Sequence, residues 1–571
     1  MNPRKLFPFL AWLPFQRDAL KADFMAGLTV ALVLVPQSMA YAQLAGLPPY
    51  YGLYAAFLPV MVAAMWGSSN QLGTGPVAVA SLLTASSLTP LAAPGSDQFV
   101  ALAIMLALLV GIVQLALGVF KLGVVVSFLS HPVIVGFTNA AAMIIGLSQV
   151  NKLIGVPMGR SESFAEDIWG VVQRVGDTHM MTLAMGMTAI AIMWVIRKKA
   201  PKLPGVLIAV VLTTTVAWLM AYAEAGGQVV GAIPTGLPAL GLPSFSVDQF
   251  GKLFSAAIVI SLVGFMEAIS IAKAIAAKTK QKIDPNQELI GQGLANLVGA
   301  ATQAFPVSGS FSRSAVNINA GAKTGMSSVF TGLFVLLTLL LLTPLLYHLP
   351  QAVLAAVIIM AVIGLINFGA IKHAWQANKH DGIAAVVTFI ATLAAAPHLD
   401  KGIMVGAGLA IVLYLYRTMS PRVAILGRYH DGTLRDARLN NLPASDVVTA
   451  VRFDGQLYFA NVSYFEDAIL DAVASNPQAP YLLVVGDGIN EIDASGEEVI
   501  HHLVERLHEG GVVVLFSGLK RQVIEVMRAT GLWSTIGEKC FFSTTEQALE
   551  KIYSRAEYRD EDDALRPIQA N

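Results

Sequence analysis

Residues 24 to 420 contain repeated apolar stretches that are long enough to cross the hydrocarbon core of a bilayer. In the whole chain 55% of residues are apolar and 13% are charged, whereas about one quarter of a soluble globular protein is charged. Residues after about 440 have the composition of a soluble domain. The expected boundaries are an N-terminal lead-in at 1–24, a transmembrane domain at 25–420, a linker at 421–444, an α/β domain at 445–555 and a disordered tail at 556–571.

Fourteen of the apolar segments are predicted to be membrane spans. Residues 164–176 carry Glu166, Asp167 and Arg174, so they predict a surface helix, because charges inside a bilayer are costly. The spans are expected near 25–44, 51–66, 75–89, 98–119, 131–149, 180–196, 204–222, 253–276, 287–301, 308–320, 327–346, 350–368, 382–396 and 401–419. A division into seven plus seven inverts the second half relative to the first and puts both termini on one side.

The third and tenth segments are interrupted at their starts by glycine and small hydroxyl residues. They begin Gly73-Thr74-Gly75-Pro76-Val77 and Ser308-Gly309-Ser310-Phe311-Ser312. A helix that begins inside a bilayer leaves its first N–H groups unpaired, which is tolerated only where they line a protected cavity. Two such starts at equivalent places in the two halves predict a transport site near the midplane. Free donors and positive dipole ends favour an anion; the alternative is that the small residues only allow close helix packing.

Lysine and arginine collect in alternate loops. With the N-terminus inside, the inner loops hold Arg197, Lys198 and Lys199 among many basic residues, and the outer loops are poorer in them. We therefore expect a multi-pass protein of the cell membrane whose lead-in, two termini and soluble tail are cytosolic. Cys540 is the only cysteine, which excludes a disulfide within the chain. A net charge of zero gives no argument for a nucleic-acid partner.

The soluble tail alternates strands and helices, as an α/β domain does. The sequence predicts a hairpin of strands 447–453 and 457–460 around the turn Asp454-Gly455. Helices are predicted at 462–474, 496–509, 520–530 and from 545 to about 553, and strands at 481–485, 512–516 and 540–542.

Runs of glycine, proline and polar residues in and after the first spans form a known signature. They are Pro36-Gln37-Ser38-Met39-Ala40-Tyr41-Ala42-Gln43-Leu44-Ala45-Gly46-Leu47-Pro48-Pro49, Gly52-Leu53-Tyr54, Pro59 and Gly73-Thr74-Gly75-Pro76. With residues 132–137 and 308–314, they resemble the SulP family of sulfate permeases, which includes prestin. The tail resembles a STAS domain. The resemblance covers nearly the whole chain and implies a uracil-permease-like fold with a core and a gate domain, a dimer, and the transport of anions.

The predicted substrate-binding residues surround the two helix starts. Backbone N–H groups around Val77, Phe311 and Ser312 are expected donors. The hydroxyls of Thr74, Ser308, Ser310 and Ser312, in segments that also contain Gly75 and Gly309, are further expected donors. Gln37 and Tyr41 lie four residues apart on the first span and so share one helix face. The resemblance implies that Gln37 borders the anion as an amide donor and Tyr41 as an aromatic wall.

Glu267 lies near the middle of a predicted span. A charged carboxylate there costs about 2.5–3.5 kcal/mol, so we expect it to be protonated or paired. Protonation would lower its repulsion of an arriving anion, which predicts that H⁺ is coupled to the anion. The alternative is a structural ion pair with Arg313, which follows the second helix start. The resemblance argues against sodium coupling, because the bicarbonate branch has a hydroxyl residue four positions after its acidic residue and this chain has Ile271.

The leading functional hypothesis is a secondary active transporter of inorganic anions, namely sulfate:proton symport by alternating access. Transport of C4-dicarboxylates or bicarbonate, a channel-like anion conductor, and a signalling scaffold with a cytosolic partner stay open. The sequence contains no Walker loop and no His/Cys cluster at ligand spacing, so we expect no enzyme, no cofactor and no metal. The expected partners are a small anion, H⁺, the lipid bilayer and a second copy of the chain. Ser495, where anti-sigma-factor antagonists carry a phosphorylated serine, is either a regulatory position or a helix cap.

Overall fold

The chain divides into two units, Met1–Ala410 and Ile411–Asn571. A computed structural model describes residues 7–14, 16–123, 130–159, 163–200, 203–234, 236–241, 247–554 and 563–567. By length and composition, eight of the described helices could cross a membrane. The first unit is built from these and shorter apolar helices, and the second unit contains a mixed β-sheet.

Helices follow one another through the first unit. They are α1 (Arg17–Leu44), α2 (Tyr50–Ala55), α3 (Leu58–Trp66), α4 (Ala78–Leu88), α5 (Asp97–Val119), α6 (His131–Ser148), α7 (Val150–Ile154), α8 (Phe164–Gln173), α9 (Met180–Lys199), α10 (Gly205–Leu219), α11 (Val247–Thr279), α12 (Pro285–Ala301), α13 (Phe311–Asn319), α14 (Met326–Leu337), α15 (Gln351–Ile363), α16 (Phe368–Ala377), α17 (Lys379–Ala395) and α18 (Leu399–Met419). Each of the fourteen predicted spans coincides with one or more of these helices. The predicted span 350–368 ends early, at Ile363, and α16 was not predicted.

The helices of the first unit pack as two bundles. The first bundle contains α1–α5 and α11–α14, and the second contains α6, α7, α9, α10 and α15–α17. Helix α1 reaches across to α10 and α15, and α4 packs against α6, so these two helices provide contacts between the bundles. Helix α18 lies close to α17, where a Cβ on Gly402 would come within 2.5 Å of the Thr392 Cα.

Two short strands form a sheet of their own inside the first bundle. Strand β1 (Gly73–Gly75) pairs antiparallel with β2 (Ser308–Ser310). Strand β1 precedes α4, and β2 leads directly into α13. The two interrupted segments of the sequence therefore meet side by side, as the inverted arrangement requires.

The second unit has a six-stranded sheet. The strands are β3 (Arg422–Arg428), β4 (Leu434–Asp436), β5 (Val448–Asp454), β6 (Tyr481–Val485), β7 (Val513–Ser517) and β8 (Phe541–Phe542), in the order β4-β3-β5-β6-β7-β8. The pairs from β5 to β8 are parallel. The helices are α19 (Ala437–Asn440), α20 (Val462–Ser475), α21 (Ala494–Glu509), α22 (Arg521–Thr530), α23 (Leu532–Ile536) and α24 (Thr545–Tyr553).

Three predictions for the second unit are wrong. The expected hairpin does not form, because the antiparallel partner of β5 is β3, from the segment expected to be a linker. Leu457 makes instead a single parallel bridge with Ile492. In the tail expected to be disordered, the structure describes 563–567, where Leu565 is buried against the sheet. In each case a long-range contact outweighs a local composition signal.

Candidate functional site

The paired strands β1 and β2 are the centre of the candidate site. Their register joins Gly73 with Ser310, Thr74 with Gly309 and Gly75 with Ser308. Because the strands are antiparallel, α4 and α13 leave the pair in opposite directions, each with its N-terminus at the pair. Val77, just before α4, and Phe311, the first residue of α13, line the same cavity. Unpaired N–H groups and two positive helix ends therefore meet in one space.

The cavity has a volume of about 1520 Å³ and lies between the two bundles. The first bundle contributes Gln37, Tyr41, Val77, Glu267, Gly309, Ser310, Phe311 and Ser312 among its lining residues, and the second bundle contributes Thr138, Asn139, Arg197 and Asn367. Along α1 the lining runs from Tyr41 to Met25. Eight of the residues proposed from the sequence for binding or coupling thus share one cavity.

The start of α13 is rich in hydroxyl groups. The Ser310 side chain caps the helix and accepts a hydrogen bond from the Arg313 N–H over 3.5 Å. The hydroxyls of Ser310 and Ser312 are 3.3 Å apart. Ser312 and Phe311 are exposed to the cavity. Ser312 is therefore the residue best placed to donate a hydroxyl hydrogen to an anion at this helix start.

Three residues proposed from the sequence for binding do not line the cavity. The Thr74 hydroxyl accepts a hydrogen bond of 2.9 Å from Gln292. The Ser308 hydroxyl donates to the Gly264 carbonyl over 2.7 Å. Gly75 has a φ of +143°, a conformation that favours glycine. All three residues belong to the strand pair, and the hydroxyls of Thr74 and Ser308 bond to groups outside the cavity lining.

Arg313 is buried behind the strand pair. Its side chain is 1% exposed, and a Cβ placed on Gly75 would lie 3.3 Å from its Nη2. Its Nε, Nη1 and Nη2 atoms have no hydrogen-bond partner among the described residues. The hydrogen-bonded pair with Glu267 that the sequence offered as an alternative is therefore not formed. A buried and unneutralised guanidinium gives this side of the cavity a strong positive potential.

Gln37, Tyr41 and Glu267 face the cavity from the helices beside the strand pair. Gln37 is 6% exposed, and its Oε1 has no partner among the described residues. Tyr41 lies one turn further along the same face of α1, and it is also buried. Glu267 lies on α11, which packs against both α4 and β2. A Cβ on Gly309 of β2 would come within 2.9 Å of the Cα of the adjacent Ala268. Glu267 also lines the cavity that both helix starts share, so a change in its charge would act on the site.

Sequence reasoning missed the polar residues of the second bundle and of α12. Asn139 is 1% exposed, accepts the Asn367 N–H over 2.7 Å, and lines the cavity. Gln292 and Asn296 of α12 lie behind the strand pair. The signal in the sequence was an amide side chain within an otherwise apolar span. Placing such a side chain in a bilayer is costly unless it has hydrogen-bond partners.

Ser495 lies in the second unit, near the start of α21. Asp493 caps this helix by accepting the Gly496 N–H over 2.9 Å. Ser495 is half-buried and is not the cap itself. The helix N-terminus predicted for it is present, and its phosphorylation stays a prediction.

Comparison with known proteins identifies the chain. The model of the sulfate permease family matches residues 20–388, and the model of the STAS domain matches residues 441–548. This chain belongs to the sulfate permease family. The family consists of transporters rather than enzymes, which agrees with the prediction from the sequence.

Relatives match over almost the full length of this family member. Sulfate transporter 4.1, chloroplastic, of Arabidopsis thaliana is 35% identical over 95% of the chain and 82% of the relative. A probable sulfate transporter of Mycobacterium tuberculosis is 32% identical over 95% of the chain and 97% of the relative.

Solved structures confirm the fold class. The murine solute carrier 26 family member A9 anion transporter, in the inward-facing state, matches with a TM-score of 0.87 and 24% identity over 96% of this chain and 94% of that one. The transmembrane domain of a cyanobacterial bicarbonate transporter matches with a TM-score of 0.58 and 22% identity over 70% of this chain and 98% of that one. The chain is thus a polytopic α-helical membrane protein with fourteen transmembrane segments in a seven-plus-seven inverted repeat and a C-terminal STAS domain.

Proposed function

We propose that the protein is a secondary active transporter of inorganic anions that carries sulfate together with a proton. The observation that carries the proposal is the meeting of two helix N-termini at one cavity, on either side of the β1–β2 pair. Each N-terminus is equivalent to about half a positive charge. A small oxyanion placed there receives hydrogen bonds from backbone N–H groups that have no partner within their own helices.

The surrounding side chains favour an anion over a cation or a neutral solute. Ser312 and Gln37 offer donors in the cavity, and the Arg313 charge stands behind the strands without a partner among the described residues. Such a site selects for charge and size more than for chemical identity. The names of the relatives, which are sulfate transporters, support sulfate as the substrate.

Glu267 is proposed as the proton-coupling residue. Its carboxylate would face the same cavity as the anion. Protonation removes a negative charge next to the site, so the anion binds more easily with a proton than without one. After release of the anion, the proton leaves in the same compartment. Ile271 also lines the cavity, where a hydroxyl residue would be needed to complete a sodium site.

Alternating access is proposed as a movement of the first bundle against the second. The cavity extends along α1 from Tyr41 towards Met25. Beyond Tyr41, at the opposite end of α1, the Gln43 Nε2 donates to Gln351 Oε1 on α15 over 3.0 Å. This bond joins the bundles on the side away from the cavity. Opening that side requires the bond to break.

A disulfide in place of this amide pair tests the movement. With Cys540→Ser as the background, Gln43→Cys plus Gln351→Cys should cross-link under oxidation, and uptake should stop until a reductant is added. The matched control is Gln71→Cys plus Gln281→Cys, which replaces an amide contact of 2.5 Å inside the first bundle. Uptake that continues in the cross-linked 43/351 protein would contradict the proposed movement.

The site of action is proposed to be a cell membrane, with the STAS domain and both termini in the cytosol and with two copies forming a dimer. The support is the excess of basic residues in the inner loops, which include Arg197, Lys198 and Lys199. Labelling of cysteines introduced into the loops, with reagents that do and do not cross the membrane of intact cells, tests the orientation. The mass of the detergent-solubilised protein tests the dimer.

The decisive experiment is an uptake panel in proteoliposomes. Labelled sulfate, bicarbonate, succinate and chloride are offered in turn, with and without an imposed proton gradient. We expect saturable sulfate uptake that an inward proton gradient accelerates. Uptake that rises linearly with anion concentration would indicate a channel. Faster uptake of succinate or bicarbonate than of sulfate would make that anion the substrate instead.

A further inference from the structure

Three buried polar side chains lie along one face of α12, behind the strand pair. Glu288, Gln292 and Asn296 are spaced four residues apart and so project from the same side of the helix. Each of the three is 1% exposed. Buried polar groups inside a membrane are expensive unless they are bonded. Their partners therefore indicate why the helix carries them.

Asn296 binds the backbone that leads into β2. Its Oδ1 accepts the Val307 N–H over 2.8 Å, and its Nδ2 donates to the Val307 carbonyl over 3.1 Å. The side-chain amide thus makes both bonds that a neighbouring strand would make at this residue. The Nδ2 also donates to Gln114 Oε1 on α5 over 3.0 Å. The position of β2 is thereby tied to two helices of the first bundle.

Gln292 binds β1 in a corresponding way. Its Nε2 donates to the Thr74 hydroxyl over 2.9 Å and to Glu288 Oε1 over 3.3 Å. The other oxygen of Glu288 accepts the N–H groups of Ser68 and Ser69 over 2.9 and 3.1 Å. One face of α12 therefore holds β1, the turn before it and the approach to β2.

From these contacts we propose that Gln292 and Asn296 are positioning residues for the anion site. Neither lines the cavity; each holds one strand, and each strand precedes the helix whose N–H groups face the anion. Together they set the separation of the two helix starts, and a binding constellation must be held to within about 0.5 Å to function. The inference rests on the proposed function, because it assumes an anion between the helix starts.

Gln287 provides a matched control on the same helix. Its Nε2 donates to the Trp66 carbonyl over 2.7 Å, so it also pins backbone to α12. In the part of the chain that the structure describes, its side chain makes no hydrogen bond to β1 or β2. Gln287→Leu therefore removes a comparable hydrogen bond without releasing either strand of the site.

The test compares labelled sulfate uptake by full-length Asn296→Leu, Gln292→Leu and Gln287→Leu proteins in proteoliposomes, with the melting temperature of each measured without sulfate. We expect KM to rise about ten-fold in the first two, equivalent to about 1.4 kcal/mol. The KM of Gln287→Leu should stay at the wild-type value, even if its melting temperature falls as much as those of Asn296→Leu and Gln292→Leu. A role in folding alone would lower the amount of active protein and Vmax and would leave KM unchanged, which overturns the inference.

A milder variant covers the case in which the leucine substitutions do not fold. Thr74→Val keeps the shape of the side chain and removes the acceptor of the Gln292 bond. As a single variant it should raise the KM for sulfate. In a Gln292→Leu background it should cause no further rise in KM. A further rise in that background would mean that the Thr74 hydroxyl holds the anion itself, against the inference. Wild-type protein that takes up no anion overturns the proposed function as well, whereas saturable wild-type uptake with unchanged variants overturns this inference alone.

Discussion

The two helix starts that meet at the strand pair occupy equivalent places in the inverted repeat, yet they are chemically unlike. The start of α4 follows Gly75-Pro76-Val77 and has no side-chain cap. The start of α13 is capped by Ser310 and is followed by Ser312 and Arg313. The first start offers backbone donors between small apolar residues, and the second adds hydroxyls and a full positive charge.

This difference shows that the inverted repeat determines the backbone geometry but not the chemistry of the site. Helix dipoles and free N–H groups are properties of any helix start, so both halves contribute them. Affinity for a particular anion needs side chains, and at the strand pair these come from α13. Substitutions at the second start and around it therefore test how far α13 dominates anion binding.

A fixed negative charge at the second start should have the largest effect. Ser312→Glu puts a carboxylate where the anion would lie, and we expect sulfate uptake to fall to the level of empty liposomes. Ser312→Ala is the control, since it removes one donor and adds no charge. Normal uptake by the glutamate variant would exclude the start of α13 from the site.

Removal of the buried Arg313 charge should have the second-largest effect. We expect Arg313→Gln to raise the KM for sulfate roughly thirty-fold, because the attraction between two unit charges about 8 Å apart at an effective dielectric of about 20 is about 2 kcal/mol. Arg313→Lys should recover most of this loss, since the guanidinium makes no bidentate contact that lysine would lose. If the glutamine variant kept the wild-type KM, the Arg313 charge would add nothing to anion affinity, and the two helix starts would contribute equally.

Glu267 lines the cavity that both starts share, so its charge should act on the site as a whole. Sulfate uptake by the wild-type protein should increase as the external pH falls, by at most about ten-fold per pH unit for one proton. Glu267→Gln should transport at a rate that does not change with pH, because a neutral amide takes the place of the protonated acid. Initial rates across a series of external pH values measure this, and a pH profile that persists in the variant would reject the coupling role.

Gln37 should have the smallest effect of this set. Gln37→Ala removes one neutral donor, and we expect KM to increase about five-fold, equivalent to about 1 kcal/mol. The neighbouring Ser38→Ala is a control, since Ser38 projects about 100° away from Gln37 around the helix, does not line the cavity, and donates its hydroxyl to the Val35 carbonyl of its own helix. Equal KM values for wild type and Gln37→Ala would show that Gln37 on α1 does not contribute to anion binding.

Most of the membrane architecture could be predicted because it depends on local chemistry. Apolar stretches of about twenty residues specify helices wherever they lie in a bilayer. The two glycine-rich interruptions were found for the same reason. The sequence did not reveal that the Thr74 hydroxyl accepts from the Gln292 amide and that the Ser308 hydroxyl donates to the Gly264 carbonyl. The residue type is the same whether a hydroxyl faces an anion or another group of the protein.

The STAS domain was harder to predict at its edges. The strand at Arg422–Arg428 is separated from its partner β5 by about twenty residues, and the segment 421–444 that contains it was predicted to be a linker although Val423-Ala424-Ile425-Leu426 is apolar. Strand pairing of this kind depends on burial against cross-strand neighbours more than on local propensity. Leu565 was assigned to a disordered tail because its neighbours in the sequence are charged, although it packs against the sheet.

Composition and periodicity were sufficient to establish a membrane protein with two broken helices, since bilayer solvation acts on each segment separately. Folding in three dimensions established which side chains share the cavity, which strands pair, and that one face of α12 holds both strands. These are contacts between residues far apart in the sequence, such as Gly73 and Ser314, which are 241 positions apart. The energy of such contacts depends on distance in space, which no local pattern in the sequence records.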